Sequence, residues 1–346
     1  MKIAVYAIAK NEEKHLERWF NSCKDADEII ILDTGSTDRT FEMARSMDIK
    51  TYRHIINPWR FDLARNAALS LVPEDVDYCL ALDLDEYLID GWRDIDINPF
   101  VDRPKYHMSL ISNGSNPLRY WANRMHRRHG YFWSHTIHER LNFMGSDEVV
   151  DYLNIKVIHE PDMLKERNYI EELERQSRRY SDDVRYGMLY ARELINLKNL
   201  KDAHREFLRV LSIENHITNL ELADIYRYMG LCGINPLEDF KRSLEYGNRR
   251  ETLIDIAGYH SNRFEWEPAM KYFDQAFDII DEPYDFISMD YAWGPRPYSQ
   301  AAMAAMNNME FSRAIDYLNQ GLSLHPDDPQ LASDFKLVEV NSILAA

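Results

Sequence analysis

The feature that most constrains this chain is a change of periodicity near residue 160. Before it, short apolar β-prone runs alternate with helix-period segments; after it, strand signals vanish and only helical spacing remains. An alternating first half calls for a βαβ sheet with right-handed crossovers and helices on both faces. A purely helical second half calls for a separate helix-on-helix unit. The expected division is residues 1–165 and 166–346.

Within the first half, Ile3 to Ile8, Ile29 to Leu32, Lys50 to His54 and Tyr78 to Leu82 read as strands. The segments holding Leu16, Trp19 and Phe20, Arg39 to Met47, and Trp59 to Leu71 read as helices. Asp33-Thr34-Gly35-Ser36-Thr37-Asp38 is turn chemistry with a ready N-cap for the second helix. Polar residues follow the strands at matching ends: Asn11 and Glu12 after the first, Asp33 after the second, Asp83 and Asp85 after the fourth. Parallel sheets bind ligands in the crevice beyond those ends. If strand geometry persists past Leu82, Asp83 and Asp85 point to one side, as two hard oxygen ligands for Mg²⁺ or Mn²⁺ and a bridged phosphate. No GxGxxG follows the first strand and no Walker A sequence occurs, which argues against a dinucleotide or P-loop enzyme.

Four blocks then carry a resemblance: Ala7-Ile8-Ala9-Lys10-Asn11-Glu12-Glu13, Asp33 to Thr40, Trp59-Arg60-Phe61-Asp62-Leu63-Ala64-Arg65-Asn66, and Leu82-Asp83-Leu84-Asp85-Glu86. In order and spacing they resemble family 2 glycosyltransferases with the α/β GT-A fold, over roughly residues 1–160. The resemblance implies a nucleotide-sugar donor, usually a UDP-sugar, a divalent metal (Mn²⁺ or Mg²⁺), and an inverting hexosyl or N-acetylhexosaminyl transfer to an acceptor hydroxyl. It implies donor-binding roles for Ile8, Ala9, Asn11, Glu12, Asp33, Arg65 and Asp83. It also implies direct metal ligation by Asp85, less direct ligation by Asp83, and a third ligand in His159 at the end of a strand. The tail after that histidine, Glu160-Pro161-Asp162, departs from the aromatic or glycine-rich tail usual in the family. Glu139, paired with His138 as in relatives with a helical tail, is the expected general base. A scaffold that no longer turns over, and a nucleotidyltransferase, are the competing readings.

The stretch Arg119 to His129 is the most basic in the chain, with Tyr120, Trp121, Tyr131, Phe132 and Trp133 in or just after it. Aromatic faces suit sugar rings and arginines suit phosphates, so it reads as an acceptor surface, with a nucleic-acid acceptor as a lesser option. Against nucleic acid stands the formal charge of -17, shared by both halves.

In the second half Ala203/Phe207/Leu211, Pro236/Phe240/Leu244 and Ala269/Phe273/Phe277 repeat every 33 residues, and Ala314/Leu318/Leu322 follows after an insertion around 283–297. The period and the small or helix-opening first residue resemble tetratricopeptide repeats, which stack helix pairs into a solenoid. Two roles are open for this half: a surface recruiting a protein, peptide or glycan acceptor, or a buttress or homodimer interface. The insertion's aromatics, Tyr284, Phe286, Tyr291 and Trp293, with Tyr298 just after, favour contact with something. Three cysteines far apart imply no disulfide framework or zinc site, and Cys79, in an apolar run, is expected to be inert. No stretch approaches the ~20 apolar residues of a membrane span, and the first residues enter a strand directly, so a cytoplasmic setting is expected.

Overall fold

The computed structural model describes residues 1–110, 118–162, 169–213, 217–281 and 289–345. The chain divides into two compact units, the first ending after the described residue 162 and the second resuming at 169. The expected boundary at 165/166 lies outside the described residues.

The first unit opens with β1 (Ile3–Ala9), α1 (Glu13–Cys23), β2 (Glu28–Asp33), α2 (Thr40–Ser46), β3 (Lys50–Arg53), α3 (Phe61–Ser70) and β4 (Tyr78–Ala81). It continues with β5 (Glu86–Leu88), β6 (Arg103–Leu110), β7 (Leu118–Ala122), β8 (Met125–Arg127), β9 (Tyr131–Ser134), β10 (Arg140–Phe143) and β11 (Val150–His159). The main sheet runs β3-β2-β1-β4-β8, parallel except for β8. Side-chain alternation along β1 builds a core on each face. Ile3, Val5 and Ala7 pack with Leu16, Trp19 and Ala44 of α1 and α2. Ala4 and Tyr6 face the side of Ala68 and Leu69 on α3. A second sheet, β5-β11-β6-β7, buries Tyr106, Met108, Ile155 and Val157 in the first of these cores. This mixed, mostly parallel architecture is the expected GT-A-like class. Asp38 supplies the expected capping contact, accepting from the Thr40 amide at 3.0 Å, although α2 itself begins one residue later than expected, with Arg39 at its N-cap position.

The second unit is helical among its described residues: α4 (Ile170–Arg179), α5 (Val184–Asn196), α6 (Leu200–Leu211), α7 (Asn219–Leu231), α8 (Pro236–Tyr246), α9 (Arg250–Ser261), α10 (Trp266–Phe277), α11 (Asp290–Trp293), α12 (Arg296–Asn307), α13 (Phe311–Leu324) and α14 (Pro329–Ala345). Consecutive helices pack as pairs: α5 on α6, α7 on α8, α9 on α10, α12 on α13. Every copy of the sequence repeat falls on the second helix of its pair, with Ala203, Phe207, Phe240, Ala269, Phe273, Ala314 and Leu318 buried. Close approach within pairs depends on missing side chains. A Cβ at Gly187 would stand 2.3 Å from Val210, and one at Gly230 would stand 2.5 Å from Phe240. The insertion's described aromatics turn inward. Tyr291 donates to Asp255 at 2.8 Å and the Trp293 indole to Glu251 at 2.8 Å, while Tyr298 is fully buried. They pack on their own solenoid; Tyr284 and Phe286 lie outside the described residues. No described helix is long and apolar enough to cross a membrane. Cys79 is buried, and burial pushes its thiol up to about 12, so the thiolate needed for reaction is scarce.

Candidate active site at the carboxyl ends of the strands

Strand β4 stops at Ala81, Leu82 still donates its amide to the Tyr6 carbonyl at 3.1 Å, and the chain then turns. The Glu86 amide donates to the Asp83 carbonyl at 2.9 Å, and the Asp83 amide donates to the Glu86 carboxylate at 2.9 Å. Strand geometry therefore does not persist through 83–85, and the expectation that both aspartates share one face is corrected. A turn of this tightness sends them to different partners.

Asp83 goes to two arginines. Arg65 of α3 places Nη1 2.9 Å from Oδ1 and Nη2 3.0 Å from Oδ2. Arg124, just before β8, donates Nη1 to Oδ2 at 2.7 Å. Burial alone would push the Asp83 carboxyl up, but Arg65 and Arg124 more than undo it and hold it well below the usual carboxylate range. Arg124 also binds Glu86, which is 1% exposed. Burial raises the Glu86 carboxyl; Arg124 opposes and the Asp83 charge adds to the rise. Arg65, 4% exposed, donates Nε to Glu139 Oε1 and lies over the Trp133 ring, Cζ 5.0 Å from its centroid. No described residue hydrogen-bonds the other Glu139 oxygen. The loop before Glu139 is bent, with positive φ at His135 (80°) and His138 (50°), and its Thr136 carbonyl accepts from the Phe61 amide at the start of α3. Arg65 and Glu139 are thus delivered from two elements braced against each other.

Asp85 goes to His159. β11 pairs antiparallel with β5, setting His159 opposite Glu86, and His159 Nε2 lies 3.3 Å from Asp85 Oδ2. Burial would lower the imidazole, yet the Asp85 hydrogen bond and the Glu86 and Asp85 charges raise it. The departing tail is accounted for. Glu160 donates its amide to the Asp85 carbonyl at 2.9 Å, while its carboxylate takes Tyr87 OH at 3.0 Å and pairs with Arg18. Asp162 pairs with Lys14, so the tail fastens β11 to α1. One carboxylate oxygen and one imidazole nitrogen suit Mn²⁺ or Mg²⁺ completed by a ligand's phosphates. Among the described residues no group of three or more His, Cys, Asp or Glu stands ready to hold a metal alone.

Asp33 ends β2 beside Ala9 of β1 and is fully buried. Its Oδ1 accepts from the Gly35 and Ser36 amides, each at 3.1 Å, and from Arg53 Nε at 2.9 Å. Gly35, at φ 111°, permits that turn. Oδ2 is buried, and no described residue hydrogen-bonds it. Ile8 and Ala9 stand at the adjacent strand end, where the Ala9 carbonyl accepts from the Thr34 amide at 2.8 Å. Asn11 and Glu12 brace this turn: Asn11 Oδ1 accepts from the Thr37 amide at 2.8 Å, and the Glu12 amide donates to Thr40 Oγ1 at 2.8 Å.

The basic stretch does not form one open surface. Arg124 is spent on Asp83 and Glu86, Arg127 reaches the Pro99 carbonyl, and Arg128 donates to the Val72 carbonyl at 2.8 Å. Charge count in that run did not reveal that backbone carbonyls and buried acids would absorb it. Three residues of the site, Arg124, Glu86 and Trp133, carry no role in the sequence motifs. Glu86, as a third acid after β4, was the readable signal; the other two were hidden inside the basic-aromatic run.

Residues 5–160 match the family model described as Glycosyl transferase family 2. An uncharacterized glycosyltransferase of Rickettsia bellii (strain RML369-C) is 35% identical over 88 residues, 25% of this chain and 29% of that protein. Another, of Rickettsia typhi (strain ATCC VR-144 / Wilmington), is 33% identical over 94 residues, 27% of this chain and 31% of that protein. A TPR repeat-containing protein of Synechococcus elongatus (strain ATCC 33912 / PCC 7942 / FACHB-805) is 36% identical over 98 residues, 27% of this chain and 23% of that protein. The aligned part of this chain spans less than a third of each of these relatives. Among solved structures, the C-terminal part of a TPR repeat-containing protein from Cytophaga hutchinsonii aligns with TM-score 0.41 and 14% identity, over 51% of this chain and 66% of that one. The matched segment covers the crevice from Ala9 to His159, and residues 5–160 are a Glycosyl transferase family 2 domain, followed in the same chain by tetratricopeptide-like helix pairs.

Proposed function

We propose that the first unit moves a sugar from a nucleotide-sugar, a UDP-sugar, to an acceptor hydroxyl with inversion, and that the helical unit recruits the protein, peptide or glycan that carries it. The observation that carries the donor reading is Asp33. Three N–H donors fill Oδ1, while Oδ2 is buried and accepts no hydrogen bond among the described residues. An unsatisfied buried acceptor costs about 1–3 kcal/mol, and a nucleobase N–H seated there would return it. With both Asp83 oxygens on guanidinium groups, Asp85 and His159 are the metal pair, and Asp83 keeps Arg65 and Arg124 aligned. A divalent ion bound by that pair would offset the charge on the donor's diphosphate. Glu139 takes the acceptor's proton on the oxygen that Arg65 leaves open, and Arg65 fixes its direction.

Titration calorimetry with UDP and Mn²⁺ tests this. The expected result is metal-dependent binding by the wild type, with the metal dependence lost in Asp85→Asn and the fold intact. Absence of UDP binding with or without metal would favour the scaffold reading. Undiminished UDP–Mn²⁺ affinity in Asp85→Asn would remove Asp85 from the metal site.

A further inference from the structure

Beneath Arg65 runs a hydrogen-bond chain with a fixed direction. His126 Nδ1 lies 2.6 Å from the Arg127 carbonyl oxygen. A carbonyl only accepts, so Nδ1 carries the proton and Nε2 is a bare acceptor. Tyr6 OH, 3.1 Å from that Nε2, must donate to it. With its proton committed, the hydroxyl accepts from Trp133 Nε1 at 2.8 Å. Trp133 is held at its backbone as well. Its amide donates to Asn66 Oδ1 at 2.8 Å, and Asn66 Nδ2 donates to its carbonyl at 2.7 Å. Asn66 is the residue after Arg65 on α3, and the indole beneath Arg65 is 3% exposed.

We propose that Tyr6, Trp133 and His126 are positioning residues for the transferase site. They fix the indole plane on which the Arg65 guanidinium rests, and Arg65 sets where Glu139 and Asp83 stand. Apolar side chains would fill the same volume. They would not resist a turn of the indole about χ2, whereas with Tyr6 in place a turn that takes Nε1 away from its hydroxyl leaves a buried N–H unpaired. A guanidinium over an indole face is attracted to the ring's π density, so the plane of the ring steers the cation. The inference rests on the reading of Glu139 as base, but its test does not require turnover.

Tyr6→Phe removes one oxygen and leaves the Trp133 N–H and His126 Nε2 without their partner. The first readout is the ¹⁵N-edited NMR signal of the Arg65 Nε–H, assigned by its loss in Arg65→Lys. In the wild type the Glu139 carboxylate should shift it downfield; in Tyr6→Phe it should move toward the free-arginine position or broaden. The second is donor turnover, expected to fall about tenfold or more at unchanged KM, the signature of misplaced chemistry rather than lost binding. An unmoved Arg65 signal in folded Tyr6→Phe overturns the proposal. Should Tyr6→Phe fail to fold, Trp133→Phe keeps an aromatic ring near Arg65 but removes the N–H donor together with part of the buried indole, and an unmoved signal there overturns it equally. A wild type that binds no nucleotide-sugar would sink the proposed function instead, leaving the Arg65 signal to decide the positioning.

Discussion

Each unit of this protein buries arginines against acids, and the two clusters end differently. In the helical unit, Arg227 of α7 donates to Asp255 of α9 at 2.7 Å, and both bind Tyr291 OH. Arg250 of α9 donates to the carbonyls of Ala292 (2.8 Å) and Ile279 (2.9 Å) and to Tyr298 OH (3.1 Å). Donors and acceptors close on neighbouring helices and on α11, so the cluster ties layers of a solenoid together. In the sheet unit, Arg65 and Arg124 face Asp83, Glu86 and Glu139, with His159 against Asp85, gathered around the turn that follows the carboxyl end of β4. Among the described residues, that cluster leaves one Glu139 oxygen without a hydrogen bond, and at the end of β2 the buried Asp33 Oδ2 has none either. The same residue types make a tie where helices pack around them and a site where a parallel sheet ends.

The contrast breaks first at Arg227. It is 3% exposed, and burial already raises the Asp255 carboxyl against the pull of Arg227. Arg227→Leu strands that carboxylate, and losing one partner of a buried pair costs about 3–5 kcal/mol. Denaturant unfolding should show a loss of that size while UDP–Mn²⁺ affinity in the folded protein is kept. A parallel loss of nucleotide affinity would mean that the helical cluster belongs to the site.

Acid should act on the sheet unit through His126. Burial lowers its pKa to about 4, from 6.5 for a free imidazole, with the Arg127 carbonyl opposing. The unfolded chain therefore binds a proton between pH 6.5 and about 4 that the folded chain refuses. Stability from this group is complete above pH 6.5 and falls as pH drops through that window, by on the order of 3 kcal/mol at about 1.4 kcal/mol per unit. Unfolding midpoints across pH 4–7, alongside the His126 ring signal by NMR, check this. A ring that titrates near 6.5 in the folded protein would contradict the buried neutral tautomer.

Glu139→Gln carries the next effect. Removing a positioned base should cost about a hundredfold in turnover, close to 2.7 kcal/mol, with UDP affinity nearly unchanged. Turnover within a few-fold of the wild type would make Glu139 a structural partner of Arg65 and send the search for the base to Asp102 or Asp147.

Strand ends and helix pairs were legible because they rest on periodicity. Alternation along β1 and the spacing of Ala203, Phe207 and their repeats each point to a buried face without knowledge of partners. Pairing across distant segments was not legible. Asp83 and Asp85 two residues apart suggested a shared direction, and only the capping of the Asp83 amide by Glu86 shows why they part. Arg124 read as one charge in a basic run, because nothing local says that its partners are 38 and 41 residues away. The aromatics of the insertion read as a contact surface because an exposed ring and one buried against Glu251 or Asp255 look alike in sequence.

The smallest effect sharpens the comparison, because it separates stability from the site by addition rather than removal. Gly258 lies inside α9, and a Cβ built there meets no atom within 4 Å. Glycine in a helix interior is less favourable than alanine by about 0.5–1 kcal/mol, since its unfolded backbone has more freedom to lose. Gly258→Ala should therefore raise the unfolding free energy by about that amount. Gly187→Ala should lower it, because its Cβ would meet Val210 at 2.3 Å and Arg209 at 2.8 Å on the facing helix. Both changes sit in the helical unit, so neither should move UDP–Mn²⁺ affinity. If Gly258→Ala destabilises, α9 is distorted there, and the packing described for the third helix pair is wrong at that turn. If it stabilises but abolishes transfer to a macromolecular acceptor while donor hydrolysis persists, the open space over Gly258 is where the acceptor lies, and the helical unit contributes a surface as well as ties.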